Sequence, residues 1–305
     1  MSKATEPQDS NRLAIFDPWL LSVTLIWGYN FVVYKMVMRV VPALSIIGVR
    51  FGLLSPLLLA VAWVLSPPSK LQRQSVLRLL WAGLVVMGGQ QVTFIKALDA
   101  TSATEGAVLI TSAPIFTALI AVALGHERLS PLNWLGVFLG FAGTALVIGG
   151  TGGATGPQQS HLLGNLLMLV SAILYGYFMV LSKDLLRRHG ALKTVAYCYC
   201  LAAVVVVPLA VPDLLRTPWT TLDAMTWFWL VGYIGLLAGV YGFTVWYTTI
   251  GRTTASRTAV YQYLVPVVAM VSAALFLGER IHALQLVGAA VVLAGLVLTR
   301  WQQKQ

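Results

Sequence analysis

The stretch GAVLITSAPIFTALIAVALGHERLSPLNWLGVFLGFAG, residues 106–143, returns in altered form as TAVYQYLVPVVAMVSAALFLGERIHALQLVGAAVVLAG, residues 258–295. A shift of 152 residues lays Ala107-Val108, Pro114, Glu127-Arg128, Gly136 and Gly143 on Ala259-Val260, Pro266, Glu279-Arg280, Gly288 and Gly295. Nearer the start of each copy the shift is 148, and Gly28, Tyr29 and Lys35 fall on Gly176, Tyr177 and Lys183. A repeat of this kind decides the architecture before any single element does.

Composition says where the two copies live. Of 305 residues, 58% are hydrophobic and 10% charged, against roughly 45–50% and about 25% in soluble domains. That composition argues strongly against a water-soluble enzyme. Ten apolar runs lie at about 19–38, 43–65, 76–98, 106–124, 131–149, 162–183, 191–211, 226–249, 258–277 and 282–300. About 20 apolar residues span a bilayer as a helix, and only helices or closed barrels satisfy the backbone in lipid. The breaks carry turn chemistry: Pro67-Pro68-Ser69, the glycines from Gly149 to Gly156, and Pro212 with Pro218.

The expected fold is an all-α integral membrane protein of ten transmembrane helices. Residues 1–18 form a cytoplasmic tail, 19–149 a first five-helix repeat, 150–161 a Gly-rich loop, 162–300 a second five-helix repeat and 301–305 a second tail. Five is odd, so the second copy crosses the membrane upside down. Inverted repeats are the build of secondary transporters, with the substrate near the midplane where the halves meet.

The net charge of +10 is topological. Fourteen Lys and Arg residues are counted to one set of alternate loops and tails and five to the other, with Arg50, the twentieth, lying inside the second run. Basic residues mark the cytoplasmic side, which places both termini in the cytoplasm of a bacterial-type inner membrane. The charges form no basic face for phosphates, so nucleic acid is not an expected partner. The first 18 residues lack the charged stretch and short apolar core of a cleaved signal. Cys198 and Cys200, two apart on a helix, point to different faces and read as small buried hydrophobes.

No carboxylate is central in any run. Asp99, Glu105, Glu127, Asp184 and Glu279 lie at helix ends, where capping and loop pairing are expected, and His126, His161, His189 and His282 lack metal-ligand spacing. Neither a catalytic cluster, a metal nor a cofactor is expected. Arg50 stands eight residues into the second helix, about 12 Å deep at 1.5 Å per residue. Three uses are open to it: receiving a substrate carboxylate, pairing with Asp99 or Glu105 on the same side, or snorkelling outward.

Mid-depth polar and aromatic residues make the candidate site. Trp27, Asn30, Gln90, Gln91, Thr111, Tyr175, Tyr241 and Tyr263 suit an apolar cavity with a few polar handles, and Trp27 falls on Tyr175 under the repeat shift. Pro114 and Pro266 hold matching places in the fourth and ninth helices, as hinges or as fixed kinks. Gly136, Gly140 and Gly143, with Gly288 and Gly295, permit close helix approach, within the chain or across a homodimer seam. The chain is therefore expected as a monomer or homodimer whose partners are a small-molecule substrate and the lipid bilayer.

Trp27-Gly28-Tyr29-Asn30-Phe31 with Lys35, Arg50-Phe51, and Glu-Arg followed by a Gly-spaced helix at 127–143 and 279–295 resemble the drug/metabolite transporter superfamily. Within it the chain is similar to the EamA-type ten-helix carriers and, by length, to the YddG-like amino-acid exporters. The resemblance implies a central cavity lined by the first, third, fourth, sixth, eighth and ninth helices, and export of amino acids, often aromatic or apolar, or of related metabolites. The second copy departs from the pattern in carrying Cys198 where the repeat would place Arg50.

Overall fold

The computed structural model describes residues 17–66, 73–126, 128–150, 158–250 and 255–300, and among them every regular element is helical. We label the helices α1 (Pro18–Val37), α2 (Ala43–Leu65), α3 (Arg73–Leu80, Trp81–Met87 and Gly88–Ala100 joined end to end), α4 (Ala103–Ile110 and Ala113–Ala123) and α5 (Pro131–Gly149). They continue as α6 (Gln158–His189), α7 (Ala191–Arg216), α8 (Ala224–Trp227, Phe228–Tyr241 and Gly242–Ile250), α9 (Ala255–Leu277) and α10 (Ala283–Arg300). Seven of these helical stretches are long and apolar enough to cross a membrane.

Local chemistry sets the ends. Asp17 caps α1, its carboxylate accepting from the amides of Trp19 at 2.9 Å and Leu20 at 3.3 Å, with Pro18 at the first helical position. Ser102 caps α4 from the Glu105 amide at 3.1 Å, and Ser130 caps α5 ahead of Pro131. Gly190, at φ 84°, supplies the left-handed residue between α6 and α7.

Four helices depart from expectation, in three ways. First, α6 extends beyond both ends of its apolar run, from Gln158 to His189. Second, α7 continues through Pro208 and Pro212 to Arg216 rather than ending at Pro212. Those prolines leave the carbonyls of Val204 and Pro208 without a ladder donor, a loss that spanning helices tolerate when neighbouring helices pack around them. Third, α3 and α8 each contain a widened section, 81–87 and 228–241, in which amides bond five residues back, as Gly88 to the Gly83 carbonyl and Gly242 to that of Leu237. The 148-residue shift carries 81–87 onto 229–235, so the widening is itself repeated. Glu127, Pro67-Pro68-Ser69 and residues 151–157 of the Gly-rich loop lie outside the described residues.

Helix pairing carries the repeat into three dimensions. The main neighbours are α5 with α10, α2 with α7, α1 with α9, α4 with α6, α3 with α6, α1 with α8, α3 with α7 and α2 with α8. Exchanging the first five helices with the last five returns the same set of pairs. The tightest seam, α5 against α10, is made by glycine. A Cβ on Gly143 would stand 2.6 Å from the Val292 amide nitrogen, and one on Gly295 would stand 2.6 Å from the Gly136 carbonyl oxygen. These glycines are therefore used within the chain.

The outer surface is apolar, with Trp63, Val64, Phe138, Leu215 and Leu275 largely exposed, while Arg50, Gln90, Gln91, Glu105 and Asn165 are buried. That distribution suits hydrocarbon outside and a polar interior.

Candidate substrate cavity

A cavity of about 170 Å³ opens between the two copies. α1 contributes Trp27, Asn30, Phe31 and Tyr34, and α3 contributes Met87, Gln90, Gln91 and Phe94. Both sets follow the i, i+3, i+4, i+7 spacing of one helix face. Arg50 comes from α2, Ile110 and Thr111 from α4, Tyr175 from α6 and Tyr199 from α7. Ala238, Phe243 and Tyr247 of α8 with Gln262 and Val265 of α9 complete the wall. Two helices beyond the expected six thus take part, α2 and α7.

Six of the eight residues singled out in the sequence stand together here: Trp27, Asn30, Gln90, Gln91, Thr111 and Tyr175. Tyr241 and Tyr263 do not line the cavity. The Tyr241 hydroxyl bonds Ser22 Oγ at 2.8 Å, and the Tyr263 hydroxyl donates to the Leu296 carbonyl at 3.2 Å. Helical phase is the cause in α9, because Gln262 holds the wall and the next residue is turned by about 100°. In α8 the wide turns carry the lining from Ala238 to Phe243, a step of five, and leave Tyr241 aside.

The interior is wired by hydrogen bonds. Arg50 Nη1 donates to the Tyr34 hydroxyl at 2.7 Å and, at 3.5 Å, to Gln91 Oε1. Gln91 Nε2 donates to Gln90 Oε1 at 2.7 Å, and Gln90 Nε2 to Ser171 Oγ at 3.0 Å. The guanidinium also lies 5.9 Å from the ring centroids of Phe51 and Phe243. Trp27 commits its indole N–H to the Ala238 carbonyl at 2.9 Å and presents its ring beside Phe243 and Trp246. Phe51 and Tyr199, equivalent under the 148-residue shift, stack with centroids 5.0 Å apart and planes 2° from parallel.

The acids stay at the margins. Glu279 accepts from the amides of Ala103 at 2.8 Å and Thr104 at 3.1 Å, so the end of α9 caps the start of α4 in the other half. Glu105 accepts from Thr101 at 2.7 Å and from Gln285 at 3.0 Å. Arg50 is thus paired with neither Asp99 nor Glu105 among the described residues.

The two prolines part company. α4 breaks at Thr111-Ser112 just before Pro114, while α9 runs through Pro266 without interruption. In α4 the Thr111 hydroxyl donates to the Ala107 carbonyl at 2.7 Å and that of Ser112 to the Leu109 carbonyl at 2.6 Å. These hydroxyls compete with the ladder, and the residues equivalent to them in α9, Tyr263 and Leu264, have no such short hydroxyl. Proline deprives the carbonyl four residues back of its donor. Those carbonyls belong to Ile110 and Gln262, and both residues line the cavity.

Tyr34, Phe94, Tyr199, Phe243, Tyr247 and Gln262 escaped the sequence reading. Tyr34 and Phe94 could have been reached by extending Trp27-Asn30 and Gln90-Gln91 along their helix faces. Tyr199 could have been reached from Phe51 through the repeat. Phe243 and Tyr247 follow wide turns that no simple period encodes.

An all-helical body with an apolar exterior and an aromatic cavity furnished with amides and a guanidinium is a membrane protein built to hold a small molecule. The chain matches the EamA-like transporter family twice, over residues 15–149 and 162–301, and it belongs to that family. It is a multi-pass membrane transporter. It is 30% identical to an uncharacterized transporter of Archaeoglobus fulgidus, over 94% of this chain and 98% of that one. It is 27% identical to a probable amino-acid metabolite efflux pump of Escherichia coli K12, over 93% and 95% of the two chains. A solved crystal structure shares the fold with a TM-score of 0.65 at 18% identity, covering 92% of this chain and 94% of the other.

Proposed function

We propose that this transporter exports small zwitterionic metabolites, or facilitates their passage, and that amino acids with aromatic or apolar side chains are its main cargo. Two inverted five-helix halves, 19–149 and 162–300, cross an inner membrane ten times and alternate the access of one central site. Both termini are cytoplasmic, by the distribution of Lys and Arg. The observation that carries this reading is the cavity between the halves, whose wall combines aromatic rings with the amides of Asn30, Gln90 and Gln91 and one guanidinium. Such a wall suits an apolar side chain carried on a polar head. The pairing of helices, unchanged when the halves are exchanged, supports the inverted repeat, and the description of the Escherichia coli relative supports amino acids as cargo.

A cation or multidrug carrier would want a carboxylate in the wall. Among the described lining residues the one charged side chain is Arg50, which repels cations.

The test is counterflow into proteoliposomes with labelled amino acids, sugars, organic cations and nucleotides. Accumulation of phenylalanine, leucine and their kin is expected. Counterflow of cations alone would replace this reading with the cation carrier.

A further inference from the structure

We infer that the cavity carries a two-point head-group site, with Arg50 receiving the carboxylate of the cargo and the side-chain amide of Asn30 receiving its ammonium. This rests on the amino-acid reading above and adds to it the residues that hold the head.

Arg50 is 7% exposed and lines the cavity. Two of its contacts are spoken for, the Tyr34 hydroxyl and Gln91 Oε1, and both acceptors are neutral. Its Nε finds no acceptor among the described residues, and no carboxylate of those residues lies within pairing distance. A guanidinium stays protonated in any protein environment, and a buried charge without a counter-ion is costly. The hydrogen-bond chain through Gln91, Gln90 and Ser171 and the rings of Phe51 and Phe243 fix its orientation without neutralising it. What the site lacks is an anion that can take a fork of N–H donors, and a carboxylate has that geometry.

The second vacancy faces the same space. Asn30 Oδ1 is buried and has no donor among the described residues, although Asn30 lines the cavity. Asn30 stands four residues before Tyr34 on α1, one turn away on the same face, and Tyr34 holds Arg50 at 2.7 Å. The unmet acceptor and the unmet cation are therefore neighbours around one hydroxyl. An α-amino acid carries the complement of both, a carboxylate and an ammonium on adjacent groups. The rings of Phe31 and Phe94 line the same wall and are there to meet the side chain.

The full-length purified chain is titrated with L-phenylalanine, L-phenylalaninamide, which lacks the carboxylate, and 3-phenylpropanoate, which lacks the ammonium. The parent should bind the amino acid about tenfold or more tighter than the amide, the scale of one charge-assisted hydrogen bond. R50Q should bring the two within about threefold of each other, R50K should keep part of the difference, and N30L should weaken the amino acid while leaving 3-phenylpropanoate nearly unchanged. An Arg50 that only packs would lower all three ligands alike, leave the ratios untouched in R50Q, and overturn the site. The parent ratios decide the matter even where a variant does not fold: equal affinity for amino acid and amide overturns the Arg50 assignment while the amino-acid reading stands. Binding of 3-phenylpropanoate without L-phenylalanine would overturn the amino-acid reading and the Asn30 half, and keep a carboxylate on Arg50. Binding of none of the three overturns both.

Discussion

Gly176 of α6 rests on the backbone of α4 at the residue before Pro114: a Cβ there would stand 3.1 Å from the Ala113 carbonyl oxygen and 2.9 Å from the Thr117 amide nitrogen. The other half repeats the arrangement. A Cβ on Gly28 of α1 would stand 2.9 Å from the Val265 carbonyl oxygen, again the residue before the proline, and 2.5 Å from Val268 Cβ. Each half thus offers a glycine on which the proline-bearing helix of the other half lies.

Replacing either glycine by alanine forces the two helices apart. G28A and G176A should each lower stability by about 1–3 kcal/mol, the range for overpacking, and should slow turnover. Thermal unfolding in detergent, read beside counterflow rate, checks both; full stability in G28A would show that α1 and α9 do not touch this closely.

The prolines are expected to act as hinges. P114A and P266A restore an N–H to Ile110 and Gln262 respectively, and one ladder bond of about 0.5–1.5 kcal/mol corresponds to roughly twofold to tenfold in rate. Turnover should fall by that factor while Kd for cargo stays close to the parent value. Parent turnover in both variants would make them fixed kinks.

The α5–α10 seam has no slack, since the atoms that a Cβ on Gly295 would strike are backbone, the Gly136 carbonyl and the Gly140 amide, each at 2.6 Å. G295V should therefore yield little folded protein, whereas V297A, at an exposed position two residues on, should melt like the parent. Size-exclusion of both in detergent is the measurement.

Gln90 and Gln91 separate structure from binding. Q90L removes the acceptor of Gln91 Nε2 and the amide donor to Ser171 Oγ, and should destabilise the fold by about 1–3 kcal/mol. Q91L also frees Arg50 of a partner, and Q91L and Y175F should mainly weaken cargo affinity. Comparison of melting temperature with Kd for the three variants tells the roles apart.

Orientation is read by labelling in a chain freed of Cys198 and Cys200. Arg188, exposed in the last turn of α6, and Arg216, exposed at the far end of α7, should differ as R188C and R216C: the first protected in intact cells and the second labelled. The reverse pattern would invert the topology.

The sequence by itself determined the class, the repeat and most of the cavity's first and third helices. Apolar runs of spanning length fix helices because lipid leaves the backbone no other donor, and a spacing of three and four residues fixes which side chains share a face. That logic found Trp27, Asn30, Gln90, Gln91, Thr111 and Tyr175. Tertiary structure decided what depends on contact between distant segments. The wide turns of α8 moved Tyr241 out of the wall, and the phase of α9 put Gln262 there in place of Tyr263. The hydroxyls of Thr111 and Ser112 broke α4 at its proline, whereas α9 stayed whole around Pro266. Above all, Glu105 found its partners in Thr101 and Gln285, leaving Arg50 buried beside Tyr34 without a carboxylate among the described residues. Local spacing carries no record of which charge a folded chain leaves uncompensated, because that depends on which helices pack together.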